Sequence, residues 1–193
     1  MGQYGKPLII GFILAFAVAF VLGLAGGAAG VDLGVMPMFA GLFVGGFTAY
    51  ILANLAGTKA GPTGTVEQKR VALGAPTSGK GRLIVMRQGF VAMAAGLNVA
   101  VDNRVVAQLK SPNWTAVDLD PGAHSLSAAF TGLAEKQSNA AQTAFEVREG
   151  EVVVFKLGVS LGALKNSIKA ERVATDETVR RQLESQKMVL PAP

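Results

Sequence analysis

The uncharged segment PLIIGFILAFAVAFVLGL, residues 7–24, decides how the first third of this chain folds. A helix rises about 1.5 Å per residue, so a helix of this length crosses most of a hydrocarbon core roughly 30 Å thick. A second uncharged segment covers residues 33–57, and the glycine-rich stretch AGGAAGVD at residues 25–32 separates the two. Because the backbone in lipid must satisfy its own hydrogen bonds, both segments are predicted to be transmembrane helices joined by a tight turn.

The composition confines these apolar segments to the beginning of the chain. The 193 residues are 50% hydrophobic and 16% charged, with a mean hydropathy of +0.40, whereas soluble domains carry about 25% charged residues. Lys6 and Asp32 are the charged residues before residue 58, so the remainder carries the net charge of +5. These values, and the absence of cysteine, exclude a simple soluble enzyme, a disordered tail and a disulfide scaffold.

Small residues recur every four positions in both segments and predict a helix-packing seam. Because residues four apart lie on one helix face, each helix carries a groove of small side chains where backbones approach closely. The groove either closes the hairpin or joins several copies. The pattern resembles the glycine-zipper two-helix arrangement of several bacterial envelope proteins. The seam residues are Gly11, Ala15, Ala19 and Gly23 in the first segment and Gly41, Gly45, Ala49 and Ala53 in the second.

Basic residues near the segment ends predict the orientation. Lys6 precedes the first segment, Asp32 lies in the turn, and Lys59, Lys69 and Arg70 follow the second. Both ends are therefore expected on the cytoplasmic side of a bacterial inner membrane, with the three later basic residues at the lipid surface. A cleaved signal peptide is the alternative for the first segment, but a second apolar segment follows at once, which favours retention.

Glycine, proline, threonine and serine dominate residues 58–81, which predicts a linker. Gly74, Gly79 and Lys80 fit most of a phosphate-binding motif, but Gly81 stands where serine or threonine is required. The motif should also follow a strand and open a helix. We therefore reject nucleotide binding.

Beyond residue 81 the chain consists of short runs rich in valine, phenylalanine and leucine, separated by turn residues. This pattern predicts an antiparallel β-sandwich of seven or eight strands. Asp102 and Asn103 suit a two-residue hairpin turn because both tolerate positive φ. Residues 120–123, with the sequence DPGA, and residues 149–150 predict further turns.

The runs GRLIVMR, NVAVDNRVVAQL and WTAVDLDPGAHSLSA resemble small bacterial β-domains related to PEGA repeats, and more specifically an uncharacterised lipoprotein-type family. The resemblance covers residues 81–173 and implies a structural or binding module rather than an enzyme. Relatives of this type are exported, which makes a periplasmic β-domain the alternative location. This chain lacks their lipid-anchor cysteine. The matching positions are Val99, Val101, Asp102, Asn103, Leu109, Trp114, Pro121, Gly122, His124 and Leu126.

Residues 175–188 predict a short C-terminal helix. Thr175 or Asp176 caps its start, and Val179 and Leu183 form a thin apolar stripe. The stripe is expected to dock on the sandwich or on a neighbouring copy.

Candidate chemical groups do not combine into a catalytic site. His124 is the one histidine, Asp118 and Asp120 share a strand face, and Ser125 and Ser127 share another. One histidine and no cysteine leave no transition-metal set, and no pattern activates a serine. We predict no enzyme activity, no metal and no cofactor. Basic residues never exceed two in a row and no aromatic platform accompanies them, so we also predict no nucleic-acid partner despite a pI of about 9.7.

The expected function is that of a non-enzymatic membrane scaffold or accessory subunit, whose partners are the lipid bilayer and either further copies or a larger membrane complex. The alternatives are a pore or transport component and an envelope module that binds a ligand. The predicted parts are a two-helix transmembrane hairpin at residues 1–57, a linker at 58–81, an all-β antiparallel sandwich at 82–174, and a C-terminal helix and tail at 175–193.

Overall fold

A computed structural model describes residues 4–59, 61–131, 133–136, 138–162 and 165–192. The chain divides into two units, Met1–Gly57 and Thr58–Pro193. The first unit is helical and the second is rich in β-strands.

The helical unit contains α1 (Gly5–Ala28) and α2 (Met36–Asn54), both long and apolar enough to span a membrane. Pro37 lies in the first turn of α2, where its missing N–H removes no helical hydrogen bond. Gly30 adopts φ +67° in the turn between the helices, and the Asp32 carboxylate accepts a 2.8 Å hydrogen bond from the Gly34 N–H. A short turn with one charged residue, Asp32, therefore connects the two apolar helices.

Over its described residues, the second unit begins with a helix, continues through nine strands and a helical turn, and ends with a helix and a tenth strand. In chain order these are α3 (Val66–Leu73), β1 (Gly81–Arg87), β2 (Leu97–Val101), β3 (Arg104–Leu109), β4 (Asn113–Leu119), β5 (Gly122–Phe130), α4 (Leu133–Lys136), β6 (Ser138–Asn139), β7 (Ala141–Val147), β8 (Val152–Ser160), β9 (Asn166–Val173), α5 (Glu177–Ser185) and β10 (Lys187–Met188).

The strands form two sheets, and the larger sheet corrects the predicted all-antiparallel arrangement. The four-stranded sheet has the order β3-β2-β5-β7 and is antiparallel throughout. The six-stranded sheet has the order β10-β4-β1-β8-β9-β6 and is mixed. Within it, β1 pairs in parallel with β8, β10 with β4, and β6 with β9. The antiparallel prediction was wrong for this sheet. Every residue of β1 is buried, as in a central strand covered on both faces, and such strands are typical of parallel pairing.

Both faces of the six-stranded sheet are covered. The Phe145 and Phe155 rings, from β7 and β8, meet edge to face at 5.5 Å and connect the two sheets. Ile84, Met86 and Trp114 lie on the other face, in a cluster that α3 and α5 cover through Ala72, Leu183 and their neighbours. The β-domain therefore has three layers, one of them formed by helices that flank the strands in sequence.

Helix α3 interrupts the segment that we expected to be a linker. Thr65 accepts a hydrogen bond from the Gln68 N–H, and the Gln68 side chain accepts one from the Thr65 N–H, which together form a capping box. The cap and the burial of Ala72 against the sheet stabilise this helix. The glycines and prolines around it had indicated a linker instead.

The C-terminal helix is shorter than predicted. Asp176 caps it by accepting a 2.8 Å hydrogen bond from the Val179 N–H, which decides between the two candidate caps. The helix ends at Ser185 rather than Met188, because β10 pairs with the start of β4. Leu183 is 1% exposed, and its carbonyl accepts a hydrogen bond from Trp114 Nε1 at 2.9 Å. The helix therefore docks on its own domain.

The segment after α5 pairs with the segment before α3. Thr63 and Val189 form an antiparallel bridge, and the Gly64 N–H donates to the Met188 carbonyl at 3.0 Å. The Leu190 N–H donates to the Pro62 carbonyl at 2.9 Å. The first and last segments of the β-domain therefore pair with each other in one antiparallel ladder.

Candidate functional site

The two helices of the first unit touch at the small residues of the predicted seam. A Cβ atom added at Gly11 would lie 2.6 Å from the Gly45 carbonyl oxygen and 2.6 Å from the Ala49 Cβ. Carbon atoms in ordinary contact are about 3.5–4.0 Å apart, so no larger residue fits at this position. The helix backbones are therefore in direct contact.

The contact continues toward the turn. A Cβ at Gly45 would lie 2.5 Å from the Ala15 Cβ, and one at Gly41 would overlap the Ala15 carbonyl and approach the Ala19 Cβ to 3.0 Å. Six of the eight predicted seam residues therefore face each other, Gly11, Ala15 and Ala19 on α1 and Gly41, Gly45 and Ala49 on α2.

The two remaining seam residues differ from each other in burial. Ala53 is 9% exposed, whereas a Cβ at Gly23 would meet no described atom within 4 Å. The groove of each helix is filled by the other helix of the same chain.

Phenylalanines form a ridge beside the seam on each helix, a feature that the small-residue pattern did not reveal. All six rings are between 56% and 75% exposed, and Phe16 stacks on Phe20 as Phe43 does on Phe47, each pair at 6.2 Å. Spacing of four residues was the available sequence signal. The ridges comprise Phe12, Phe16 and Phe20 on α1 and Phe39, Phe43 and Phe47 on α2.

The three basic residues predicted at the lipid surface do not form one cluster. The Lys59 side chain is exposed. The Lys69 ammonium donates to the carbonyls of Glu184 and Gln186, at the end of α5. Arg70 pairs with Glu67 at 2.8 Å within α3. Lys69 therefore ties α3 to α5.

His124 belongs to a hydrogen-bonded turn. Its Nδ1 lies 2.6 Å from the Asp102 carboxylate and its Nε2 lies 2.8 Å from the Asp120 carbonyl, so both nitrogens have acceptors and suit the protonated ring. Partial burial lowers the pKa of His124, but the hydrogen bonds and charges of Asp102 and Asp120 raise it overall above the usual value. The hydrogen bond from His124 lowers the pKa of Asp102.

The same turn holds Ser125, whose hydroxyl donates to the Asp102 carboxylate at 3.4 Å. Asp102 and Asn103 adopt φ +49° and +65°, as the predicted hairpin turn requires, and Asp102 also accepts a 2.8 Å hydrogen bond from the Ser125 N–H. With both ring nitrogens of His124 engaged, neither faces Ser125 or Ser127. Asp102 therefore connects the turn between β2 and β3 to strand β5.

Asp118 and Asp120 each form an ion pair with a basic side chain of the neighbouring strand or loop. Asp118 accepts from Arg82 Nε at 2.6 Å and Arg82 Nη2 at 3.0 Å, and Asp120 accepts from Lys80 Nζ at 2.6 Å. The Arg82 hydrogen bonds, opposed by partial burial, lower the pKa of Asp118 to about 2. Within the rejected phosphate-binding motif, the Gly79 N–H donates a hydrogen bond to the Glu149 carboxylate. No group of three or more potential metal ligands occurs among the described residues.

Arg87 is a buried cation that the sequence reasoning missed. It is 1% exposed, and in the part of the chain that the structure describes it forms no ion pair. Its guanidinium donates to the carbonyls of Ala92, Ala95 and Leu109 at 2.5–2.8 Å and lies 5.4 Å from the Phe130 ring centroid. Burial lowers its pKa to about 10. Strand alternation after Leu83 and Val85 was the available signal, because it places residue 87 on a buried face.

Comparisons with known proteins give no family to which this arrangement belongs. No protein-family model matches the chain, and no curated protein matches it significantly.

Proposed function

We propose that this chain is a non-enzymatic, multi-pass protein of the bacterial inner membrane, in which the helical hairpin anchors the β-domain. The β-domain then serves as the scaffold or accessory surface of a membrane complex. One observation carries the proposal. In the most apolar 18-residue stretch of each helix, 6% is buried inside the protein for α1 and 17% for α2. Apolar surface on this scale is unfavourable in water, whereas the hydrocarbon of a bilayer accommodates it.

The charges that flank the helices support a cytoplasmic β-domain. Lys6 lies in the first turn of α1, Lys59 follows α2, and Asp32 lies in the turn between the helices. Basic residues are retained on the cytoplasmic side of inner membranes. The turn would then face the periplasm.

An anchor explains the helices better than a pore does. Pore-lining helices carry ionisable or free polar groups along the path. Asn54 instead donates a 2.9 Å hydrogen bond to the Tyr50 carbonyl of its own helix. The seam supports a hairpin in which α1 and α2 of one chain pack against each other. The phenylalanine ridges of the hairpin are available to lipid or to neighbouring helices.

Alkaline carbonate extraction tests the anchor directly. The intact chain is expected to stay with the membrane pellet, because two apolar helices resist extraction that removes peripheral proteins. Recovery of the chain in the carbonate supernatant would refute the proposal.

The role of the seam in assembly is tested by Gly45→Ile, with Gly46→Ile as the matched control. The side chain that Gly45→Ile introduces would collide with Ala15 and Gly11, whereas a Cβ at Gly46 meets no described atom within 4 Å. Overpacking of this kind typically costs about 1–3 kcal/mol. Gly45→Ile should therefore reduce the mass of the native complex in mild detergent, while the near-ultraviolet circular dichroism of Trp114 remains unchanged.

The control separates two assembly surfaces. A reduced mass for Gly46→Ile alone would place assembly on the outer helix face. Unchanged mass for both variants would show that the complex does not assemble through this helix.

A further inference from the structure

The loop between β1 and β2, residues 88–96, which we call the Phe90 loop, exposes large apolar side chains. Phe90 is 89% exposed and Met93 is 45% exposed. No charged residue occurs between Arg87 and Asp102 in the sequence. Large apolar side chains exposed on an uncharged loop mark a contact surface rather than an ordinary solvated turn.

Hydrogen bonds hold the Phe90 loop in one conformation. Arg87 donates to the Ala92 carbonyl at 2.6 Å and to the Ala95 carbonyl at 2.5 Å. The Ser111 N–H donates to the Met93 carbonyl at 3.1 Å. The buried cation thus organises the loop from below, so that its apex is ordered before it meets a partner.

The base of the Phe90 loop is bonded to the chain that leaves the second helix. The Gly96 N–H donates to Thr58 Oγ1 at 2.8 Å, and the Lys59 N–H donates to the Gln108 side chain. Thr58 follows Asn54, the last residue of α2, by four residues. These hydrogen bonds hold the loop base against the first residues of the β-domain unit.

The β-domain has opposite charges at its two ends. Because β1 ends at Arg87 opposite Leu157 of parallel β8 and opposite Asn113 of antiparallel β4, residues 110–112, 161–162 and 165 lie at the same end as the Phe90 loop. Connecting segments at this end carry Lys59, Lys110, Lys136 and Lys165 against Glu135. Those at the other end carry Asp102, Asp120, Glu149, Glu151 and Asp176 against Lys80 and Arg148.

We propose that the Phe90 loop inserts into the interface of an anionic phospholipid bilayer, with Phe90 and Met93 among the lipid chains and the surrounding lysines at the headgroups. This inference rests on the proposed function, since the bilayer is the one that holds the hairpin. An apolar loop at the basic end of the domain suits an anionic lipid surface.

Fluorescent labelling of the full chain in phosphatidylglycerol-containing vesicles tests the inference. The natural sequence has no cysteine, so Phe90→Cys can be labelled selectively with an environment-sensitive nitrobenzoxadiazole dye. Val105→Cys is the control, because Val105 is 48% exposed and follows the Asp102–Asn103 turn at the acidic end. Phe16→Cys reports on the hairpin itself.

The expected result is a blue-shifted emission at position 90 that shallow doxyl lipids quench, with no lipid quenching at position 105. Equal quenching of both positions by aqueous iodide would overturn the inference. Protection of position 90 from both quenchers would also overturn it, in favour of a protein contact. Lipid quenching at position 16 but not at position 90 overturns this inference alone. Absence of lipid quenching at position 16 overturns the proposed function and the loop insertion together.

Discussion

Replacing Asp118 with asparagine is expected to destabilise the β-domain in a pH-dependent way. The Asp118 carboxylate accepts two hydrogen bonds from Arg82 and two from Thr77, at 2.5–3.1 Å. Arg82 also donates to the carbonyls of Val71, Ala72 and Gly74, where α3 ends. Removing the negative charge therefore weakens the junction between α3 and the six-stranded sheet.

The pKa of Asp118 sets the size of this effect. The hydrogen bonds from Arg82 lower that pKa from 3.8 to about 2. Since one pKa unit corresponds to about 1.4 kcal/mol, ionised Asp118 contributes roughly 2 kcal/mol to the free energy of unfolding at neutral pH. For a carboxyl with a lowered pKa, this contribution is complete above 3.8 and is lost as the pH falls toward 2.

Urea unfolding of the full chain in detergent, followed by Trp114 fluorescence, measures the difference. Asp118→Asn should unfold with roughly 2 kcal/mol less free energy than the natural chain at pH 7, and the two should converge between pH 4 and pH 2. Asp120→Asn is the matched control, because its exposed ion pair with Lys80 is screened by water and should contribute little. A deficit that stays constant with pH, or no deficit at pH 7, would refute the reasoning.

Two further predictions concern other contacts of the β-domain. Because its pKa is raised overall, His124 should stabilise the fold fully below pH 6.5 and lose that contribution as the pH rises through the raised value. The melting temperature of His124→Gln should therefore approach that of the natural chain between pH 6 and pH 8; a constant gap would contradict this. Leu183→Ala should cost about 2–5 kcal/mol and shift Trp114 emission to the red, because Leu183 and the Trp114 ring share one buried cluster. Arg180→Ala, on the exposed face of the same helix, should change stability little, and an equal loss in both variants would contradict the packing argument.

Local signals predicted the features that depend on neighbouring residues. The absence of charge from residues 7–24 predicted a long apolar helix, and Asp102 with Asn103 predicted a turn with positive φ. Both features follow from the chemistry of adjacent residues, so no distant contact was needed to infer them.

The pairing of distant strands could not be read in the same way. β1 lies beside β8, about seventy residues later, and a run of apolar residues does not specify its neighbour or its direction. Helix α3 was hidden for a different reason, since Gly, Pro and Thr around it dominate the composition. The capping-box pattern of Thr65 and Gln68 was the local signal that indicates it.

For the seam, spacing predicted the residues but not their partner. A row of small side chains indicates that something approaches closely, and either the next helix or a second copy satisfies that requirement. The structure pairs Gly11 with Gly45 and Ala49 of the same chain. Arg87 was missed because a charged residue at a strand end resembles an ordinary solvated terminus, and its acceptors come from loops that sequence patterns do not position.

The ladder between residues 62–64 and residues 188–190 has a consequence for biosynthesis. The first partner leaves the ribosome directly after the hairpin, whereas the second emerges after every other strand of the β-domain has been made. Contacts between such distant segments form late, because closing a long loop precedes any gain from the contact. Helices α1 and α2 are therefore complete while the β-domain is still open, and the nascent domain completes its closure after translation has passed residue 190.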